Sequence, residues 1–133
     1  MLVVDASVLV VALADDGVDG DAARTRLRGE ELTAPELLDL EVTSVLRKQH
    51  SASLIDDRRA LLALTDLRAL PLHRAPHLPL LSRCWELREN LTIYDAAYVA
   101  LAELLQADLL TADGRLAAAP GLHCGIEVLQ PGR

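Results

Sequence analysis

The chain has 133 residues, 51% hydrophobic and 25% charged, a length and balance that fit one globular domain and exclude a disordered chain. Aromatic residues amount to 2%, with no Phe, one Trp and two Tyr, so the core must be built from Leu, Val and Ala, and modules that stack bases on a sheet of aromatics are all but excluded. The net charge of −7, from 13 Lys and Arg against 20 Asp and Glu, disfavours a nonspecific nucleic-acid coat and an anionic-membrane binder.

In chain order, Leu2-Val3-Val4 reads as a short strand and Asp5-Ala6-Ser7 opens a helix to about Ala14. Asp15 to Gly20 reads as a turn rich in Asp and Gly, and Asp21 to Arg28 as a short helix stopped by Gly29. Leu32-Thr33-Ala34 is a brief strand, and Pro35 suits the first turn of a helix running to about Gln49. A helix over about Ser53 to Leu70 precedes a weak strand, Pro71 to Arg74. Pro76 to Arg88, with Cys84 and Trp85, reads as one helix, and Tyr94 to Gln106 as a strongly periodic one with Thr92 near its start. Asp108 to Thr111 is strand-like, Asp113 to Ala118 a helical turn, Ile126 to Val128 a last strand and Gln130 to Arg133 a loose tail. Short apolar strands alternating with helices imply an α/β fold, a parallel sheet covered on both faces. In such sheets ligands collect at the carboxyl ends of the strands.

No linker, repeat or low-complexity tract divides the sequence. Cys84 and Cys124 form no Cys-x-x-Cys, which removes zinc and redox motifs, and Cys84 reads as a core thiol. Leu2 to Ala14 has no basic start and is interrupted by Asp5, so it is not read as a signal sequence. No run approaches the roughly 20 apolar residues of a membrane span, and a soluble cytoplasmic protein is expected. Lys48 is the only lysine; the remaining cations are Arg, suited to bidentate phosphate contacts or to ordinary surface pairing.

The strand ends carry acids. Asp5 follows the first strand and Asp113 the fourth, and each taken alone fits a helix N-cap. Asp95 lies three residues after Thr92, close to a capping box. Glu41 shares a helix face with Leu37, Leu38 and Val45, where a carboxylate is costly unless paired or bound to metal. Acids gathered over one sheet edge repel each other, a divalent cation removes that repulsion, and all-oxygen ligands suit Mg²⁺ or Mn²⁺. Ser7 and Thr111 are the hydroxyls placed to support the acids. His50, His73, His77 and His123 stand beside none of them and are expected to be structural.

Four stretches carry a family resemblance: Val3-Val4-Asp5-Ala6-Ser7-Val8-Leu9, Pro35-Glu36-Leu37-Leu38-Asp39-Leu40-Glu41-Val42-Thr43-Ser44-Val45-Leu46-Arg47-Lys48, Leu91-Thr92-Ile93-Tyr94-Asp95-Ala96-Ala97-Tyr98-Val99-Ala100-Leu101-Ala102, and Leu109-Leu110-Thr111-Ala112-Asp113-Gly114-Arg115-Leu116. In that order they resemble PIN-domain proteins, specifically the VapC toxins of type II toxin–antitoxin systems. The resemblance implies a single PIN domain over residues 1–133, a three-layer α/β/α sandwich with a short central parallel sheet, and a Mg²⁺-dependent endoribonuclease, with Mn²⁺ as substitute. It implies Asp5 and Asp95 as metal ligands, with Glu41 and Asp113 completing the catalytic site directly or through water. It further implies hydrolysis of RNA by an activated water, RNA contacts from Arg47, Lys48 or Arg115, a homodimer, and inhibition by a cognate VapB-like antitoxin. Arg115, Leu116 and Ala117 follow Gly114, so the fifth acid of some PIN proteins is missing.

Rival readings meet specific obstacles. A receiver-type phosphoacceptor needs a Lys near the final strand, and Lys48 lies in the first half. A haloacid-dehalogenase-like phosphatase needs Asp where Ser7 stands. There is neither a Walker loop nor a dinucleotide Gly fingerprint. A PIN-fold RNA-processing nuclease outside a toxin–antitoxin system would carry the same site, and a catalytically silent partner-binding module would have no need of its acids.

Overall fold

The computed structural model describes residues 1–132. Its strands are β1 (Leu2–Val4), β2 (Leu32–Pro35), β3 (Leu72–Ala75), β4 (Asp108–Thr111) and β5 (Ile126–Val128). Its helices are α1 (Ala6–Ala14), α2 (Val18–Leu27), α3 (Leu37–Ser51), α4 (Asp57–Ala69), α5 (Leu81–Glu86), α6 (Ile93–Leu105) and α7 (Gly114–Ala117). The strands form one sheet in the order β3-β2-β1-β4-β5. Every pairing is parallel, with Val3 beside Thr33 on one side and Leu109 on the other. α1 packs with α2, α3 and α4, while α6 lies across β1, β2 and β4 and carries α5, giving three layers. The core is Leu, Val and Ala, as the shortage of aromatics requires. Among the described residues no helix is long and apolar enough to cross a membrane.

The strand order makes β1 central, with β2 reached in one direction and β4 in the other. The crevice at such a reversal opens beyond the carboxyl ends of the two diverging strands. Asp5 and Asp113 stand at those ends.

Several boundaries differ from the sequence reading. Pro35 closes β2, opposite Ala75, instead of starting a helix. α3 begins at Leu37, whose N–H donates to His77 Nε2 at 2.9 Å; a side chain from forty residues away does the capping. α2 starts at Val18, inside the expected turn, because Asp15 Oδ1 accepts the N–H groups of Gly17 and Gly20 at 2.7 and 3.3 Å. Ser53, in the left-handed region at φ 59°, ends the turn after α3, and α4 starts only at Asp57, capped by Asp56. The expected helix over residues 76–88 divides into a 3-10 turn, Leu78–Leu80, and α5, because Pro79 lacks the N–H for a continuous ladder. Gln130 to Gly132 is no loose tail, since the Gly132 N–H donates to Asp19 at 2.7 Å; Arg133 lies outside the described residues.

The arginines act as staples. Arg74 grips Asp39 through both ends of its fork and donates to the Leu67 carbonyl, tying β3 to α3 and α4. Arg59 joins Asp16 and the Leu13 carbonyl to α4, and Arg24 donates to the carbonyls of Ala12 and Asp15. A planar fork with five donors makes such multi-acceptor contacts; an ammonium does so less well.

Gly20 is held against the Asp15 carbonyl, where a Cβ would lie 1.8 Å from the oxygen. Alanine gains roughly 1 kcal/mol in helix propensity, but the backbone clash outweighs it. Gly20→Ala is therefore expected to lose up to about 2 kcal/mol net, read as a lower urea midpoint at unchanged slope.

Candidate active site

Asp5 ends β1 and caps α1. Its extended backbone lets Oδ1 accept the Val8 N–H at 3.3 Å while also accepting the Ser7 hydroxyl at 2.5 Å. Oδ2 accepts the Thr111 hydroxyl, from the last residue of β4, also at 2.5 Å. The hydroxyl oxygens are themselves held by backbone: Ser7 accepts the Ala112 N–H at 2.9 Å and Thr111 the Asp113 N–H at 3.0 Å. Cap and cleft residue are thus one and the same here. Burial pushes the Asp5 carboxyl above its usual range, the three donors pull it back, and the charge of Asp95 pushes it up again; the net direction is upward.

Glu41 sits half-buried on α3, one turn after buried Leu38 and one turn before half-buried Val45. Its Oε1 accepts the Tyr98 hydroxyl at 2.5 Å, a bond between α3 and α6. Burial raises the Glu41 carboxyl, Tyr98 lowers it, and the charges of Asp95 and Asp5 raise it further, leaving it above the usual range. Tyr98 is itself buried and held protonated, first by burial and then by the carboxylate it faces.

Asp95 lies in the first turn of α6, exposed, behind the Thr92 cap that accepts its N–H at 3.1 Å. Asp113 caps α7 and is the exception among the acids. Arg115 reaches both of its oxygens, at 3.1 and 2.9 Å, while the Arg115 N–H donates to Oδ1 at 3.0 Å. Those contacts hold the Asp113 carboxyl below its usual range.

Asp5, Asp95, Asp113, Arg115, Asn90 and Thr92 line a cleft of about 450 Å³ at the β1–β4 reversal. Glu41 is outside that lining but within the field of Asp5 and Asp95. Arg47 and Lys48 are exposed farther along α3 and do not line the cleft; of the cations expected to meet RNA, only Arg115 does. The histidines stay structural: His77 accepts the Leu37 N–H, and His50 pairs with Asp57 at 2.6 Å.

Among the described residues, no three His, Cys, Asp or Glu side chains already converge as a metal-ligand cluster. The donor chemistry nonetheless suits a hard divalent cation: carboxylates only, with the charge of Asp95 raising the proton affinity of both Asp5 and Glu41. Two of the four acids already have other partners, Asp113 in Arg115 and Glu41 in Tyr98.

Residues 2–122 match the PIN domain family. The chain belongs to the PIN-domain family. Its relatives place it in the VapC branch. Ribonuclease VapC1 of Mycobacterium tuberculosis is 46% identical over 129 residues, covering 96% of this chain and 97% of its own length. Ribonuclease VapC12 of the same organism is 40% identical over 129 residues, covering 97% of this chain and 99% of its own. A chain from a Klebsiella pneumoniae toxin–antitoxin complex superposes with a TM-score of 0.69 at 18% identity, over 98% of this chain and 99% of that one, a likeness of fold.

Sequence reasoning about the acids of this PIN domain did not find Tyr98. The available signal was a tyrosine one turn after Asp95 on a helix otherwise buried through Ala, Val and Leu, where a phenol needs a partner. Tyr98→Phe removes the donor from Glu41. The expected loss of stability at pH 7 is about 1 kcal/mol, below the roughly 1.5–3 kcal/mol of a hydrogen bond to a buried charged group, because Glu41 is half open to solvent. A raised carboxyl costs nothing while protonated and destabilises as pH rises through its folded pKa; losing Tyr98 raises it further. The variant's deficit should therefore be larger at pH 7 than at pH 4 in urea unfolding.

Proposed function

We propose that this chain is the toxin of a type II toxin–antitoxin pair, a single-domain PIN endoribonuclease acting in the cytoplasm with Mg²⁺, or Mn²⁺ in its place. The observation that carries the reading is the mutual repulsion of Asp5, Glu41 and Asp95 at the carboxyl end of the sheet. A fold has no structural use for like charges pushed together, and a divalent cation bound among them would relieve the cost.

In this reading Asp5 and Asp95 hold the metal, and Glu41 and Asp113 complete the site. A bound Mg²⁺ supplies charge neutralisation at the phosphate and a lower pKa for the attacking water. Ser7 and Thr111 fix the Asp5 carboxylate, so its position is set before RNA arrives. One acid of the pocket, Asp113 or Glu41, orients the attacking water or takes its proton. The 2′-hydroxyl takes no part, and the cut leaves a 5′-phosphate. Arg115 contacts the RNA backbone at the cleft. Arg47 and Lys48 reach only strands that run past it along α3.

The partner readings rest on the relatives. VapC ribonucleases align over nearly the whole chain, and the Klebsiella chain of the same fold comes from a toxin–antitoxin complex. On that basis the toxin is held silent by a cognate VapB-like antitoxin; the homodimer follows from the family resemblance of the sequence motifs.

RNA cleavage followed on 5′-labelled substrate is expected to require Mg²⁺ or Mn²⁺ and to stop in EDTA. Asp5→Asn and Asp95→Asn keep the side-chain shape and remove a ligand charge, so each should slow cleavage by more than about 100-fold, beyond what losing a supporting residue costs. Both should stay folded. Undiminished cleavage in EDTA, or by both variants, would return these acids to helix caps.

A further inference from the structure

Asp113 is the one site acid already neutralised, and its partner is poorly suited to a purely structural task. Arg115 occupies both Asp113 oxygens, yet its side chain is 92% exposed and lies at the cleft wall. The bond spans two residues of the same turn, so it joins no separate elements. The N-cap role of Asp113 needs only the Arg115 backbone N–H on Oδ1. Arg115 also lies within the field of Asp95, across the cleft.

We propose that Arg115 is an exchange latch: its guanidinium masks Asp113 in the free chain and releases it to the metal site when a phosphodiester takes the guanidinium. An exposed ion pair is weak, which is what an exchangeable partner requires. A guanidinium fork fits a phosphate as well as it fits a carboxylate, so the same donors can serve either anion. By linkage, phosphate binding and metal binding then strengthen each other. The latch rests on the metal reading of the site.

The test is a double-mutant cycle in Mn²⁺ affinity, measured on the full chain from the electron paramagnetic resonance signal of free Mn²⁺. Asn at position 113 keeps the cap acceptor for the Arg115 N–H. With Asp113 present, Arg115→Ala should tighten Mn²⁺ by about two- to fivefold, the worth of an exposed ion pair. With Asp113→Asn, the same change should tighten Mn²⁺ clearly less, leaving only the through-space effect of the lost cation. If Arg115 acts only as a nearby positive charge, its removal tightens Mn²⁺ equally in both backgrounds, and the latch is wrong. Dimethyl phosphate, a plain phosphodiester anion, should tighten Mn²⁺ more on the wild-type chain than on Arg115→Ala. Equal tightening on both would overturn the hand-off. A wild-type chain that binds no Mn²⁺ would overturn the metal reading and the latch together.

Discussion

The carboxylate of Asp5 is the point on which the cleft depends. It takes donors from its own helix at Val8 and Ser7 and from the end of β4 at Thr111, so one side chain fastens β1, α1 and β4 at their common end. The backbone of the following loop closes on the same hydroxyls, through Ala112 on Ser7 and Asp113 on Thr111. A half-buried charge is tolerated there because its hydrogen bonds are made in advance. What remains uncompensated is the repulsion from Asp95 and Glu41.

The rest of the fold brings those other charges within range. β1 is central and flanked by β2 and β4, so the crevice opens beside Asp5. α6 lies directly on these strands because its buried face includes Ala96, Ala97, Ala100 and Ala102, whose small side chains allow close approach. That approach carries Asp95 to the cleft and Tyr98 to Glu41, which α3 presents from the other side. Arg74 and Arg59 keep α3 and α4 in place through backbone carbonyls as well as carboxylates. The acidic composition is therefore partly spent in ion pairs away from the cleft, while Asp5, Glu41 and Asp95 stay close enough to repel.

What could be read from sequence were the features with a local cause. The five strands, the parallel sheet and the positions of Asp5 and Asp113 follow from short apolar runs and the acids that end them. Glu41 was legible from its helix face, and Ser7 and Thr111 from their place beside strand-end acids. Two of the misread boundaries have distant causes. Pro35 is a strand residue because β3 pairs with it, and α3 starts where His77 caps it. α2 begins early because the Asp15 side chain folds forward onto two N–H groups. Tyr98 meets Glu41 only once α3 and α6 are packed, a relation no local pattern contains. Arg115 was legible as a cation at the site, but its grip on Asp113 is a matter of rotamer.

The central claim is that the carboxylates around Asp5 form the seat of a divalent cation. Anomalous diffraction at the manganese edge, from crystals of the wild-type chain grown with Mn²⁺, tests it most directly. The account predicts one strong peak in the cleft within ligand distance of Asp5 and Asp95. A peak bound elsewhere on the chain, with the cleft empty at saturating Mn²⁺, would contradict it.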